Sequence, residues 1–163
     1  MSYKKIIASS AIVALITASS CGILNKASKI TLIPNSQMSA MGISSFEEMK
    51  TTLPVNTNVK TNSYVSCVAN AITDQVTPEE FDGQWEVVVF ESEDINAFAL
   101  PGGKIGVYTG ILEVAESQGQ LAAIIGHEVA HVLEKHANQR MSLGIVSAAA
   151  LSVGEGSLSG TSD

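Results

Sequence analysis

The chain has 163 residues, 45% apolar, 15% charged and 5% aromatic, and its 16 acidic against 9 basic side chains give a net charge of −7. That is one domain's length, hydrophobic enough for a core packed from Ala, Val, Ile and Leu and too apolar for a disordered chain. Lys and Arg are scattered singly, which argues against nucleic acid as the main partner and disfavours an anionic membrane surface.

Met1 to Cys21 reads as an export signal. Lys4 and Lys5 precede an apolar run of 13 residues, Ile6 to Ala18, whereas a membrane-spanning helix needs roughly 20. Ala18-Ser19-Ser20-Cys21 resembles the lipobox of bacterial lipoproteins, in which the Cys is acylated and becomes the new N-terminus, although Ala18 stands where Leu is usual. An ordinary secreted protein and an uncleaved anchor are the alternatives. Gly22 rather than Asp after the Cys leans toward the outer membrane. The expected location is the periplasmic side of a bacterial cell envelope, with the chain held by lipidated Cys21. Without residues 1–20 the balance is 7 basic to 16 acidic residues, or −9. With Cys21 lipidated, Cys67 is left without a partner, as a free thiol or in an intermolecular bridge, and is expected first as a buried small hydrophobe.

Residues 21–41 show no period and read as a tether, which leaves 42–163 for the domain. Ser45 and Glu48 resemble a capping box that opens a short helix, ended by Pro54 and the polar stretch Asn56 to Asn62. Val65, Val68, Ala69, Ile72 and Val76 recur at helical spacing and predict an amphipathic helix over Tyr64 to Val76. Trp85 to Phe90 reads as a buried strand, and Asn96 to Leu100, Pro101-Gly102-Gly103 and Lys104 to Thr109 as a hairpin. The fold class is therefore α+β. Ser117 with Gln120 forms a second capping box, predicting a helix from there to about Ala137. Its buried stripe is Leu121, Ile125, Val129, Val132 and Leu133. Beyond the small apolar residues of Met141 to Val153, Gly154 to Asp163 reads as a flexible loop.

Inside that helix lies His127-Glu128-Val129-Ala130-His131, the H-E-x-x-H pattern. Four residues span about 400°, so both imidazoles sit one turn apart on one face and can reach a single ion. Neutral imidazole suits zinc, one ion per chain, and Glu128 beside it can act as general base and then general acid in peptide hydrolysis. The competing reading is two helix histidines satisfied by ordinary hydrogen bonds. On a continuous helix His136 falls about 140° from His131 and points away from the metal, as a capping or solvent-facing residue. Gly126 reads either as a close backbone approach beside the metal or as simple packing. The offsets after His131 do not fit a metzincin.

These residues resemble the gluzincin metallopeptidases that include the HtpX heat-shock protease and the CAAX prenyl proteases, in particular their periplasmic lipoprotein branch. Ile95-Asn96-Ala97-Phe98-Ala99-Leu100-Pro101-Gly102-Gly103-Lys104-Ile105 through Thr109-Gly110, and Leu121 through His131, carry the likeness, which extends over roughly Gly42 to Met141. It implies a zincin-like fold in which a small sheet sets its edge strand against the H-E-x-x-H helix. It also implies zinc held by His127 and His131, catalysis by Glu128, and substrate bound by strand addition at Asn96, Ala97 and Phe98. Misfolded envelope proteins are the implied substrates, as in quality control. The third zinc ligand of that family is a Glu on a later helix. Glu155, 24 residues beyond His131, is a weak match, and the expected position is past Asp163 in a longer chain. A non-catalytic peptide-binding lipoprotein adaptor, or an inactive fragment without that ligand, is the alternative function.

Overall fold

A computed structural model describes residues 30–158. The export signal, Cys21 and the first part of the tether lie outside the described residues. Two units are distinguished, residues 33–137 and, among the described residues, 30–32 with 138–158.

In the larger unit, helix α1 spans Asn35–Thr52 and α2 spans Val59–Thr73. Strands β1 (Glu86–Phe90), β2 (Ala97–Leu100) and β3 (Lys104–Tyr108) follow. A short turn of helix α3, Ile111–Val114, then leads to α4, Gln118–Leu133. The sheet order is β1-β3-β2, with β1 parallel and β2 antiparallel to β3. This mixed arrangement of helices around a small sheet is α+β.

Because side chains alternate along a strand, the register sorts the sheet into two faces. Val87, Val89, Ile105, Val107 and Ala99 face α2 and α4, where they join Val65, Val68, Ala69, Leu121, Ile125 and Val129 in the core. Phe90, Phe98 and Tyr108 face the other way and meet Phe46 of α1. The Phe46 ring lies 6.0 Å from that of Phe90 and 6.4 Å from that of Phe98, both edge-on. The sheet is thus sandwiched between α1 on one side and α2 with α4 on the other.

The helix ends explain several differences from the sequence reading. The stretch read as tether is helical from Asn35, and Ser45 and Glu48 lie in the middle of α1 rather than at its start. Its buried residues, Met38, Gly42 and Phe46, recur every four positions. Gly42 hides this stripe from a hydropathy reading, and the contact requires it: a Cβ there would sit 2.0 Å from the carbonyl oxygen of Pro101.

Helix α2 begins earlier than expected because the polar stretch supplies its cap, with the Asn58 side chain accepting from the N–H groups of Lys60 and Thr61. The same stretch closes the outer side of β1. Asn56 N–H donates to Val89 O at 2.8 Å, and Glu91 N–H to Pro54 O at 2.8 Å. Cys67 is exposed rather than buried, since it lies across the helix from Val65, Val68 and Ala69.

Helix α4 carries the expected capping box. Ser117 Oγ accepts from Gln120 N–H, and Gln120 Oε1 accepts from Ser117 N–H at 3.0 Å. It ends at Leu133, not near Ala137, because Lys135 takes a left-handed φ of 57°. Helix α5 then runs His136–Leu158, so the backbone is helical through Gly154 to Leu158, where a loop was expected. In the smaller unit Ser142 Oγ accepts from Leu32 N–H at 2.7 Å and donates to Asn138 Oδ1 at 3.0 Å. Among the described residues no helix is long and apolar enough to cross a membrane.

Candidate metal centre

Leu121, Ile125 and Val129, one every four residues, bury one side of α4 in the core. That anchoring turns the other side outward, where His127 is exposed and Glu128 and His131 are half-buried. One ligand atom from each of these three side chains gathers within 4.8 Å of the others. The rings of His127 and His131 lie 4.4 Å apart between centroids at 72°. Two imidazole nitrogens converging from successive turns, with a carboxylate alongside, form a donor set suited to zinc. The fit is that of an open site reachable from solvent, as a catalytic ion needs.

Gly126 makes no close backbone approach, because a Cβ added there meets nothing within 4 Å. Among the described residues the glycine is a propensity cost with no neighbour that excludes a Cβ.

His136 does not point away from the site. Its Nδ1 lies 2.6 Å from Nδ1 of His131, and the two ring centroids are 4.8 Å apart. The helix is not continuous there: the left-handed Lys135 turns the chain and carries His136 back over the preceding turn. Nothing in Glu134-Lys135 announces such a break, since Lys seldom adopts a positive φ.

The strand beside α4 is β2, and among the described strands it pairs only with β3. Its turn, Pro101-Gly102-Gly103, needs positive φ at both glycines, 88° and 76°. Tyr108 N–H donates to Asn96 O at 3.0 Å. In an antiparallel ladder hydrogen-bonded and non-bonded pairs alternate. With Ala97 opposite Val107 and Phe98 opposite Gly106, Asn96 and Phe98 therefore turn their backbone groups inward to β3. Ala97 and Ala99 turn theirs outward. The Phe98 ring packs over Gly106 and beside Phe46, Phe90 and Tyr108, so that side chain supports the fold. Of the three residues expected to bind substrate, Ala97 turns its backbone groups away from β3, and Ala99 does the same.

The aromatic side of the sheet also carries the ion cluster. Glu86 accepts from Lys104 at 2.7 Å and from Lys50 at 2.8 Å, and these bonds hold its carboxyl below the usual range. Lys50 is raised above its ordinary value by Glu47 first and Glu86 second.

Residues 59–162 match the model of peptidase family M48. The chain is 48% identical over 52 residues to the mitochondrial metalloendopeptidase OMA1 of Arabidopsis thaliana, covering 32% of this chain and 11% of that protein. To the metalloprotease LoiP of Escherichia coli it is 28% identical over 81 residues, covering 50% of this chain and 30% of that one. To a putative beta-barrel assembly-enhancing protease of Vibrio cholerae it is 36% identical over 53 residues, 32% of this chain and 11% of that protein. The chain thus spans between 11% and 30% of the length of these three relatives.

Proposed function

The chain belongs to peptidase family M48, and on that premise we propose that the protein is a zinc-dependent metalloendopeptidase with a zincin-like catalytic domain. The observation that carries this reading is the convergence of His127, Glu128 and His131 within 4.8 Å on the solvent side of a helix anchored in the core. His127 and His131 would hold one zinc ion, with a further carboxylate from a later segment as third ligand. Zinc bound there supplies Lewis-acid polarisation of the water and of the scissile carbonyl.

The remaining steps fall to the chain's own groups. A substrate strand laid along β2 accepts from the outward N–H groups of Ala97 and Ala99 and donates to their carbonyl oxygens. The carboxylate of Glu128 takes a proton from the attacking water and passes it to the leaving amide nitrogen as the peptide bond breaks. Binding through backbone groups reads no particular side chain. That suits unfolded polypeptides, and misfolded envelope proteins are the proposed substrates. The signal grammar of Met1 to Cys21 supports attachment through lipidated Cys21 at the periplasmic side of an outer membrane.

The test is casein hydrolysis by the protein, with and without a zinc chelator, beside Glu128→Gln. Chelation and the substitution are each expected to lower kcat by at least 100-fold, with zinc restoring the chelated wild type only. Equal rates for wild type and Glu128→Gln would overturn the reading, and peptide binding indifferent to zinc, without hydrolysis, would favour an adaptor.

A further inference from the structure

We propose that His136 is a positioning residue for the metal centre, holding His131 in the tautomer and ring orientation that leave its Nε2 for the ion. The inference rests on the zinc reading above. A neutral imidazole has one N–H and one lone pair. If Nε2 of His131 offers the lone pair, the proton must sit on Nδ1, and that atom lies 2.6 Å from Nδ1 of His136. His131 Nδ1–H therefore donates, His136 Nδ1 accepts, and the proton of His136 is placed on its own Nε2.

The ring planes meet at 61°, an edge-directed contact rather than a parallel stack. Both rings are half-buried, so the bond is partly shielded from competing water. His136 is not among the residues whose ligand atoms gather at the site, which separates it from a direct ligand. A carboxylate or a backbone carbonyl commonly fills this supporting place behind a metal-bound His. An imidazole takes that place here, and it adds no negative charge beside Glu128.

The device depends on the break at Lys135. On an unbroken helix an offset of five residues would leave His131 and His136 about 140° apart. The left-handed residue converts that offset into contact.

The full chain is compared with His136→Leu, which removes the acceptor, and His136→Asn, whose Oδ1 stands where Nδ1 stood. Two quantities are read: the Kd for Zn2+ by competition with a chromophoric chelator, and the His131 tautomer in the metal-free protein from imidazole nitrogen shifts. His136→Leu is expected to raise the Kd roughly 10- to 100-fold and to release His131 from the Nδ1–H tautomer, while His136→Asn stays near wild type in both. Wild-type zinc affinity in His136→Leu would overturn the proposal, as would His136→Asn behaving like His136→Leu. So would weakened binding in His136→Leu with the His131 tautomer unchanged, because the loss would then lie in the fold and not in the bond. If no form took up zinc while the tautomer still followed the acceptor at 136, the positioning role would stand and the zinc reading would fail.

Discussion

Toward α2 and α4 the sheet offers Val87, Val89, Ala99, Ile105 and Val107; toward α1 it offers Phe90, Phe98 and Tyr108, with Gly106 as a seat for the Phe98 ring. The aliphatic face is thin at β2, where alanines let α4 lie close to the edge strand, and that helix carries His127, Glu128 and His131. The aromatic face is thick and braced by the Lys50, Glu86 and Lys104 cluster. The difference separates two duties. One face sets the distance between edge and metal centre, and the other supplies stability at a remove from the chemistry.

The comparison predicts that stability and metal binding can be broken independently. Phe46 is fully buried among the aromatic rings, so Phe46→Ala should cost about 3–5 kcal/mol in urea unfolding while the folded protein keeps its zinc affinity. A parallel loss of zinc affinity under folding conditions would mean that the two faces are coupled. Ala99→Leu should reach the metal centre as well. Overpacking between β2 and α4 is expected to cost about 1–3 kcal/mol, but the zinc Kd should rise because the helix that bears the ligands is pushed outward.

Gly126→Ala should stabilise by up to about 1 kcal/mol, since its Cβ meets nothing within 4 Å. A shift in the melting temperature checks it, and a fall in casein hydrolysis without a fall in stability would place substrate over that position. The smallest effect belongs to Glu86. Its carboxyl is depressed by Lys104 and Lys50, so its contribution is present above the unfolded value near 4.5 and is lost as pH falls through the lower folded value. Glu86→Gln should therefore melt lower than wild type at pH 7, and the difference should close as the pH is taken below 4.5.

The aliphatic face was the legible one. Leu121, Ile125 and Val129 repeat at helical spacing, Ser117 and Gln120 mark the start, and Val65, Val68 and Ala69 announce α2 in the same way. The hairpin was legible through Pro101-Gly102-Gly103, because the turn demands residues that tolerate positive φ. The aromatic face was half hidden. Helix α1 meets the hairpin through Gly42, and a contact that needs the absence of a side chain leaves no apolar mark. The chemistry divides similarly. His127, Glu128 and His131 follow from spacing within one helix, whereas the His136 contact depends on a backbone break that Lys135 does not advertise.

Within β2, Ala97 and Ala99 turn their backbone groups out from the pairing with β3, and this gives the outer edge a repeat of two residues. A strand that advances along it by two residues recovers every hydrogen bond, while an advance by one turns its side chains to the opposite faces. An unfolded polypeptide laid there has a set of equivalent seats rather than one. On the proposed reading, its cleavage products are expected to be spread over many bonds rather than confined to one, which mass spectrometry of a digested model peptide would resolve.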